Sequence, residues 1–258
     1  VGMLVFASPA PFPVQDSSPW PDFRLPPPGA EHELAESQTH RRFLKSHLPY
    51  DAKPIYQGVK IIHVARDGRD AAMSFYNHKI NYTDEVLTRM NSILAEDPKF
   101  DSPTVRTEPD PALHFHNWVE GEEDHMGDPA CGFWYMETSY WTARTEQDLL
   151  LVHYADLKAD LAGEMRRIAD FLEITIPEDL WPELVDAASF ESMTSNAEDL
   201  MPSAGEIWQC GGNTFINKGT NGRWRDVYSA EDLAAYDARV EQEFSPELAR
   251  WLEFGRLG

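Results

Sequence analysis

The sequence predicts an α/β fold, a parallel sheet flanked by helices. Three runs point to the sheet: residues 42–46, 60–65 and 149–153. Each is short, apolar at its centre and stopped by turn or charged residues, as a buried parallel strand is. Helical spacing follows two of them, at 69–79 and 158–172, which is the alternation of a parallel sheet with crossover helices. The third observation is chemical. The first run delivers Lys45, Ser46 and His47 at its C-terminal end, and the second delivers Arg66, Asp67, Gly68 and Arg69 and then a helix carrying Ser74. Ligands of open α/β sheets bind beyond the carboxyl ends of strands. Two cations, an imidazole and a hydroxyl gathered there suit an anionic ligand and a proton transfer.

The elements follow in order. Residues 1–6 fit a helix end, too short and without the basic lead of a secretory signal. Residues 8–28 are Pro-rich, spotted with Phe12, Trp20 and Phe23, and read as an irregular connection. Residues 31–38 are weakly amphipathic. After the helix at 69–79 come a second at 84–95, a loop at 97–110 and a third at 112–122. Pro111 opens that third helix where its missing N–H costs nothing, and 120–124 reads as a solvated acidic end. Residues 133–144 are aromatic-rich with a helical period. The run 149–153 is followed by a strongly amphipathic helix, 158–172, on Leu161, Met165, Ile168, Ala169 and Leu172. Residues 177–188 form another helix and 195–214 a long loop. A last helix spans 229–244, with Ser229 as N-cap and Asp232 three residues on.

Composition narrows the function. The chain has 258 residues and is 42% hydrophobic, enough for a sizeable core. Its net charge of −22 repels polyanions, which argues against a nucleic-acid partner. An anionic ligand then needs the few cations concentrated around it, notably Lys45, Arg66, Arg69, Lys218, Arg223 and Arg225. Two cysteines, Cys131 and Cys210, make no disulfide framework, so a cytoplasmic setting is expected. No apolar run approaches the ~20 residues of a membrane span.

The chemistry gathers in a few places. Lys45 and His47 alternate along their run and so face the same side. Imidazole titrates near neutrality and suits proton removal. Arg66 offers a planar fork to phosphate and Ser74 a neutral donor, beside the positive end of a helix. The competing reading of Arg66 is a surface ion pair with Asp67 or Asp70. Lys218 and Gly219 lie in the Gly-rich stretch 217–224, where backbone N–H groups can approach a phosphate. His114 and His116, with Glu120, suggest a metal only weakly, because positions i and i+2 do not share a helix face. No metal is expected.

Six segments carry a resemblance. LKSHLP (44–49) resembles the K-T-H-L-P segment of the cytosolic-type sulfotransferases. VARDGRDAAMSFYNH (64–78) resembles their R-N-P-K-D-V-A-V-S-x-Y segment. GFWYMETSYW (132–141), LLLVHYADLKADLAGEMRRIADFLEI (149–174), ASFESM (188–193) and FINKGTNGRWRDVYS (215–229) follow in the family's order and spacing, over about residues 39–243. The resemblance implies a P-loop kinase-like sheet in a single domain over 1–258. It also implies transfer of a sulfuryl group from 3′-phosphoadenosine 5′-phosphosulfate (PAPS) to a hydroxyl, or less readily an amine, of a small-molecule acceptor, leaving 3′-phosphoadenosine 5′-phosphate (PAP). His47 is then the general base and Lys45 the cation at the leaving oxygen. Arg66, Ser74, Lys218 and Gly219 hold the 3′-phosphate, and Tyr154, Phe190 and Met193 surround the adenine.

The chain departs from the family in three places. Asn217 stands where an arginine is usual, and Arg223 where an aspartate is. The family's Y-P-K-S-G-T-T-W loop, which holds the 5′-phosphosulfate, has no counterpart before His40. The domain is therefore expected to be N-terminally incomplete and, used alone, to bind PAPS poorly. The usual dimer segment K-x-x-x-T-V-x-x-x-E has become Arg225, Ser229-Ala230 and Ala234, so a dimer through it is not expected. Two rivals remain: a catalytically inactive nucleotide-binding relative, and a nucleotide-dependent kinase of related fold. The second lacks a G-x-x-x-x-G-K-[ST] loop.

Overall fold

A computed structural model describes residues 1–23, 26–54, 56–96, 104–121 and 132–258. Cys131, the first part of the expected loop at 97–110 and most of the acidic end at 120–124 lie outside the described residues. The described chain forms two compact units. One comprises Val1–His47, His78–Arg106 and Glu173–Gly219; the other comprises Leu48–Asn77, Thr107–Leu172 and Thr220–Gly258.

The second unit holds the sheet. Strands β1 (Ile61–Ala65) and β2 (Leu149–His153) pair in parallel, with Ala65 opposite His153. Both are rich in branched aliphatic residues, which fit a pleated and packed surface. β1 alternates: His63 and Ala65 are buried while Val64 is 58% exposed. The helix Gly68–Ile80 follows β1. Two helices follow β2, Tyr154–Ala159 and Leu161–Leu172. The expected single helix at 158–172 is thus divided at Asp160, whose Oδ1 accepts the Gly163 N–H at 2.8 Å. A short acidic side chain competes for backbone N–H groups and favours a cap over a helix interior. The second of these helices buries Met165, Ile168, Ala169 and Leu172 of the predicted face and adds Glu164, while Leu161 is half-buried.

The core of this unit is aromatic. Phe115 on the helix Pro111–Glu120 stacks on Tyr228 at 3.8 Å and 7°. Trp118, Trp134, Tyr236 and Phe244 close around it. Ser229 caps the helix Ala230–Glu243 in a reciprocal capping box with Asp232. A further helix, Pro246–Phe254, begins at the Ser245 cap and buries Leu248 and Leu252; its spacing went unread in the sequence. Polar groups are sealed in the unit as well. His63 Nε2 lies 2.9 Å from Glu137, with its ring stacked on Tyr140 at 3.8 Å.

The first unit corrects two expectations. The run 42–46 is not a strand. Its backbone is irregular, and the Lys45 N–H donates to the Pro19 carbonyl at 2.9 Å instead of to a ladder. The Pro-rich stretch supplies the partners a neighbouring strand would have supplied. The stretch 195–214 is not an open loop either. It coils into three one-turn helices, Ala197–Leu200, Ala204–Ile207 and Gly212–Phe215. Leu200, Met201, Ala204 and Trp208 pack with Tyr82 and Val86 into the core of this unit. Turns of four residues leave no periodicity to read, so only their packing identifies them. Tyr82 and Val86 come from the start of the helix Asp84–Leu94 and the residues before it, where Thr83 accepts the Val86 N–H.

Candidate functional site

Six of the nine singled-out residues lie in the first unit: Lys45, His47, Phe190, Met193, Lys218 and Gly219. Arg66, Ser74 and Tyr154 lie in the second.

Lys45 and His47 converge on Trp20. The Lys45 ammonium lies 4.1 Å from the centre of the indole ring, and the His47 ring lies 4.2 Å away at a 52° tilt. Phe23 stacks parallel on the same indole at 4.3 Å and 2°. The His47 N–H donates to Asp22 Oδ2 at 2.9 Å. Although much of Lys45 is exposed, desolvation of its ammonium pushes its pKa down, and the Asp22 carboxylate partly opposes this. A base and a cation thus share one aromatic surface. Trp20, Asp22 and Phe23 were passed over in the sequence as parts of a connection. The signal that marks them is three aromatic or acidic residues concentrated within one proline-rich stretch.

The Gly-rich stretch begins in the same unit. Lys218 is exposed, and Gly219 has a φ of +62°. A Cβ at Gly219 would overlap the Phe190 ring, so both backbone conformation and close approach require glycine there. Ser189 caps the helix Phe190–Ser195, and Met193 packs against the core around Tyr82 and Trp208.

In the second unit, Arg66 stands directly beyond β1. Its guanidinium lies 4.5 Å from the Tyr154 ring centre. It donates to the Thr220 carbonyl at 2.9 Å and to Asn221 Oδ1 at 2.9 and 3.2 Å. Asp70 lies 3.7 Å away, one helical turn on, and accepts the Gly222 N–H at 2.8 Å. Burial pushes the Asp70 carboxyl up, while Arg66 and that N–H pull it back. Asp67 belongs to a different pair, with Arg69 at 2.6 Å. The ion-pair reading of Arg66 therefore holds for Asp70 and not for Asp67. Ser74 is exposed two turns along the helix. Tyr154 here supports an arginine. His114 is buried and lies 2.8 Å from the Thr107 hydroxyl, whereas His116 is exposed. Among the described residues no group of three or more His, Cys, Asp or Glu is arranged to hold a metal ion.

Comparison with known proteins decides the family. The family described as Sulfotransferase domain matches residues 8–247. The chain belongs to the sulfotransferase family. A glycolipid sulfotransferase of Mycobacterium bovis is 30% identical to this sulfotransferase, over all of the chain and 84% of the relative. Rat sulfotransferase 1A1 is 26% identical over 88% of this chain and 70% of the relative. Mouse sulfotransferase SULT7A1, solved in complex with PAP, shares the fold with a TM-score of 0.62 at 19% identity, over 86% of this chain and 74% of that one. Retinol dehydratase, solved with androsterone and inactive cofactor PAP, gives 0.62 at 24% identity, over 84% and 57%. The protein is thus a transferase acting on sulfuryl groups, with an α/β sulfotransferase fold. Among the described residues no helix is long and apolar enough to cross a membrane.

Proposed function

We propose that this sulfotransferase moves a sulfuryl group from PAPS to a hydroxyl of a small-molecule acceptor, with Lys45 and His47 as its catalytic pair. The observation that carries this reading is their convergence on one indole ring, at 4.1 and 4.2 Å. His47 removes the acceptor proton as the hydroxyl oxygen attacks sulfur. The bond between sulfur and the bridging oxygen of PAPS breaks, and Lys45 stabilises the charge developing on that oxygen. The products are a sulfate ester, PAP and a proton on His47. The charge is supplied by side chains, so the reading calls for no metal.

Arg66 and Ser74 are read as ligands of the 3′-phosphate, and the resemblance to the family gives Lys218 and the backbone at Gly219 the same role. A guanidinium stacked on Tyr154, bonded to two neutral acceptors and 3.7 Å from Asp70, can exchange the neutral partners for phosphate oxygens, which bind more strongly. The resemblance to the family assigns Phe190 to the adenine, and Tyr154 too, whose ring already carries the Arg66 guanidinium. Met193, packed into a core, contributes at most an edge. The resemblance to structures solved with PAP supports a nucleotide of this kind.

The test follows radiolabelled PAPS with a panel of phenols, a steroid alcohol and a glycolipid. His47→Ala should abolish transfer while PAP still binds, and Lys45→Ala should lower kcat by ~10²-fold or more. Near-normal turnover in either variant would overturn the assignment. PAP binding without transfer by the unaltered protein would instead favour a nucleotide-binding relative that has lost its chemistry.

A further inference from the structure

We propose that Trp20 is a positioning residue for the catalytic pair: its indole ring holds the Lys45 ammonium and the His47 imidazole together, and Pro19 and Asp22 fix the register that brings them there. The inference rests on the assignment of Lys45 and His47 just given.

Residues 42–47 have no ladder to hold them. Two bonds tie them to the Pro-rich stretch instead, from the Lys45 N–H to the Pro19 carbonyl and from the His47 N–H to Asp22 Oδ2, both 2.9 Å. Trp20 lies between the two anchor points in sequence, so it is the large side chain that both groups meet. Trp20 is itself fixed from two directions. Its backbone N–H donates to Glu31 Oε2 at 2.5 Å, in the first turn of the helix Ala30–Ser37, and Phe23 stacks on its ring. An indole has few rotamers and a large flat face. It therefore gives the long, flexible lysine a defined position, which backbone bonds alone cannot do. A base and a cation displaced by about 1 Å from their working geometry cost a reaction ~10²-fold.

The ring also changes what Lys45 is. Burial lowers the pKa of the ammonium, and the indole at 4.1 Å is part of what covers it, while Asp22 acts in the opposite sense. His47 shares the ring, and the Glu31 carboxylate is engaged by the Trp20 N–H. Lys45 must be protonated to act on the leaving oxygen, so the alkaline limit of turnover should follow its pKa. Replacing the indole by a smaller aliphatic group restores water to the ammonium and moves that limit to higher pH.

The experiment compares Trp20→Leu, Trp20→Phe and His47→Ala with the unaltered protein in two measurements. The first is transfer from PAPS to 2-naphthol across the neutral and alkaline range. Trp20→Leu should lower kcat by ~10- to 100-fold with little change in KM for PAPS, and shift the alkaline limb upward. Trp20→Phe keeps an aromatic face and should retain most of the rate. The second measurement needs no turnover: acetic anhydride labelling of Lys45 against pH, read by peptide mass, with exposed Lys158 as the internal standard. Lys45 should become reactive at lower pH than Lys158, and Trp20→Leu should remove the difference. Unchanged kcat and unchanged labelling in Trp20→Leu, alongside an inactive His47→Ala, would overturn the positioning role and leave the catalytic assignment standing. Equal losses in the Leu and Phe variants with an unmoved alkaline limb would overturn it too. An active His47→Ala would overturn the assignment, and the labelling would still decide whether Trp20 holds Lys45. If 2-naphthol accepts nothing, the labelling alone decides.

Discussion

The two strands of the sheet end side by side, and their ends differ. Beyond β1, Arg66 bonds a carbonyl and an asparagine, rests on the ring of Tyr154 and pairs at 3.7 Å with Asp70. Beyond β2, the polar groups are sealed. His153 and Asp156 are each 1% exposed. His153 Nδ1 accepts the Ala155 N–H at 3.1 Å, so Nε2 carries the proton and donates to the Leu252 carbonyl at 3.0 Å. Asp156 accepts the N–H groups of Arg256 and Leu257, both at 2.9 Å. Glu164, two turns of chain beyond, is gripped by Arg167 and Arg256; these bonds outweigh the effect of burial and hold its carboxyl below the usual range. The β2 end is a clamp on the segment 255–257. At the β1 end Arg69 is locked to Asp67, whereas Arg66 is held by two neutral acceptors and one long ion pair, which a phosphate can replace. Position at a strand's carboxyl end is thus shared by a structural and a candidate binding residue, and the partners distinguish them.

This contrast breaks most sharply at Asp156. Asp156→Ala removes the acceptor for two backbone donors and frees the segment that carries Arg256. Stability should fall by about 2–3 kcal/mol, read from denaturant unfolding, with PAP affinity of the folded protein unchanged. A weakened PAP affinity at unchanged stability would place the β2 end in the binding site and erase the distinction.

Arg66 should show the reverse. Arg66→Ala should weaken PAP by ~10- to 100-fold, as the loss of charge-assisted bonds does, and leave affinity for 5′-AMP nearly unchanged. Its effect on stability should be smaller than that of Asp156→Ala. Equal losses for PAP and 5′-AMP would show that Arg66 does not read the 3′-phosphate. Arg66→Lys sharpens the point: a point charge without the planar fork should recover only part of the affinity.

The smallest effect concerns pH. Burial lowers the pKa of His153, opposed by Leu252, Asp156, Glu137 and Asp67. The unfolded chain then binds the proton more readily than the folded one, so stability falls as pH drops below the ordinary histidine value of about 6.5. His153→Asn keeps an N-cap acceptor without a titrating ring. The stability difference between the two proteins, followed by thermal unfolding, should narrow on acidification. A constant difference would show that His153 does not titrate in this range.

Much of this was legible beforehand for identifiable reasons. Ile61–Ala65 and Leu149–His153 are short, mainly apolar runs, and such runs survive as strands because a sheet wholly or partly buries most of their positions. Ser229 and Asp232 announce their helix because a capping box is a purely local bond. The run 42–46 looked no different from β1, yet it is irregular, because a strand needs a neighbour and its backbone found Pro19 and Asp22 first. Residues 195–214 gave no period to read, and only the packing of Leu200, Met201, Ala204 and Trp208 against Tyr82 and Val86 identifies their helical turns.

By itself, the sequence determined the α/β class, the family and the residue types able to handle an anion and a proton. Those depend on local spacing and on motif order, which a chain carries unfolded. Tertiary structure alone decided that Trp20 gathers Lys45 with His47, that Arg66 leans on Tyr154 and that Asp156 is a clamp. Each of these joins residues tens of positions apart or more, and only a folded backbone brings such groups within bonding distance.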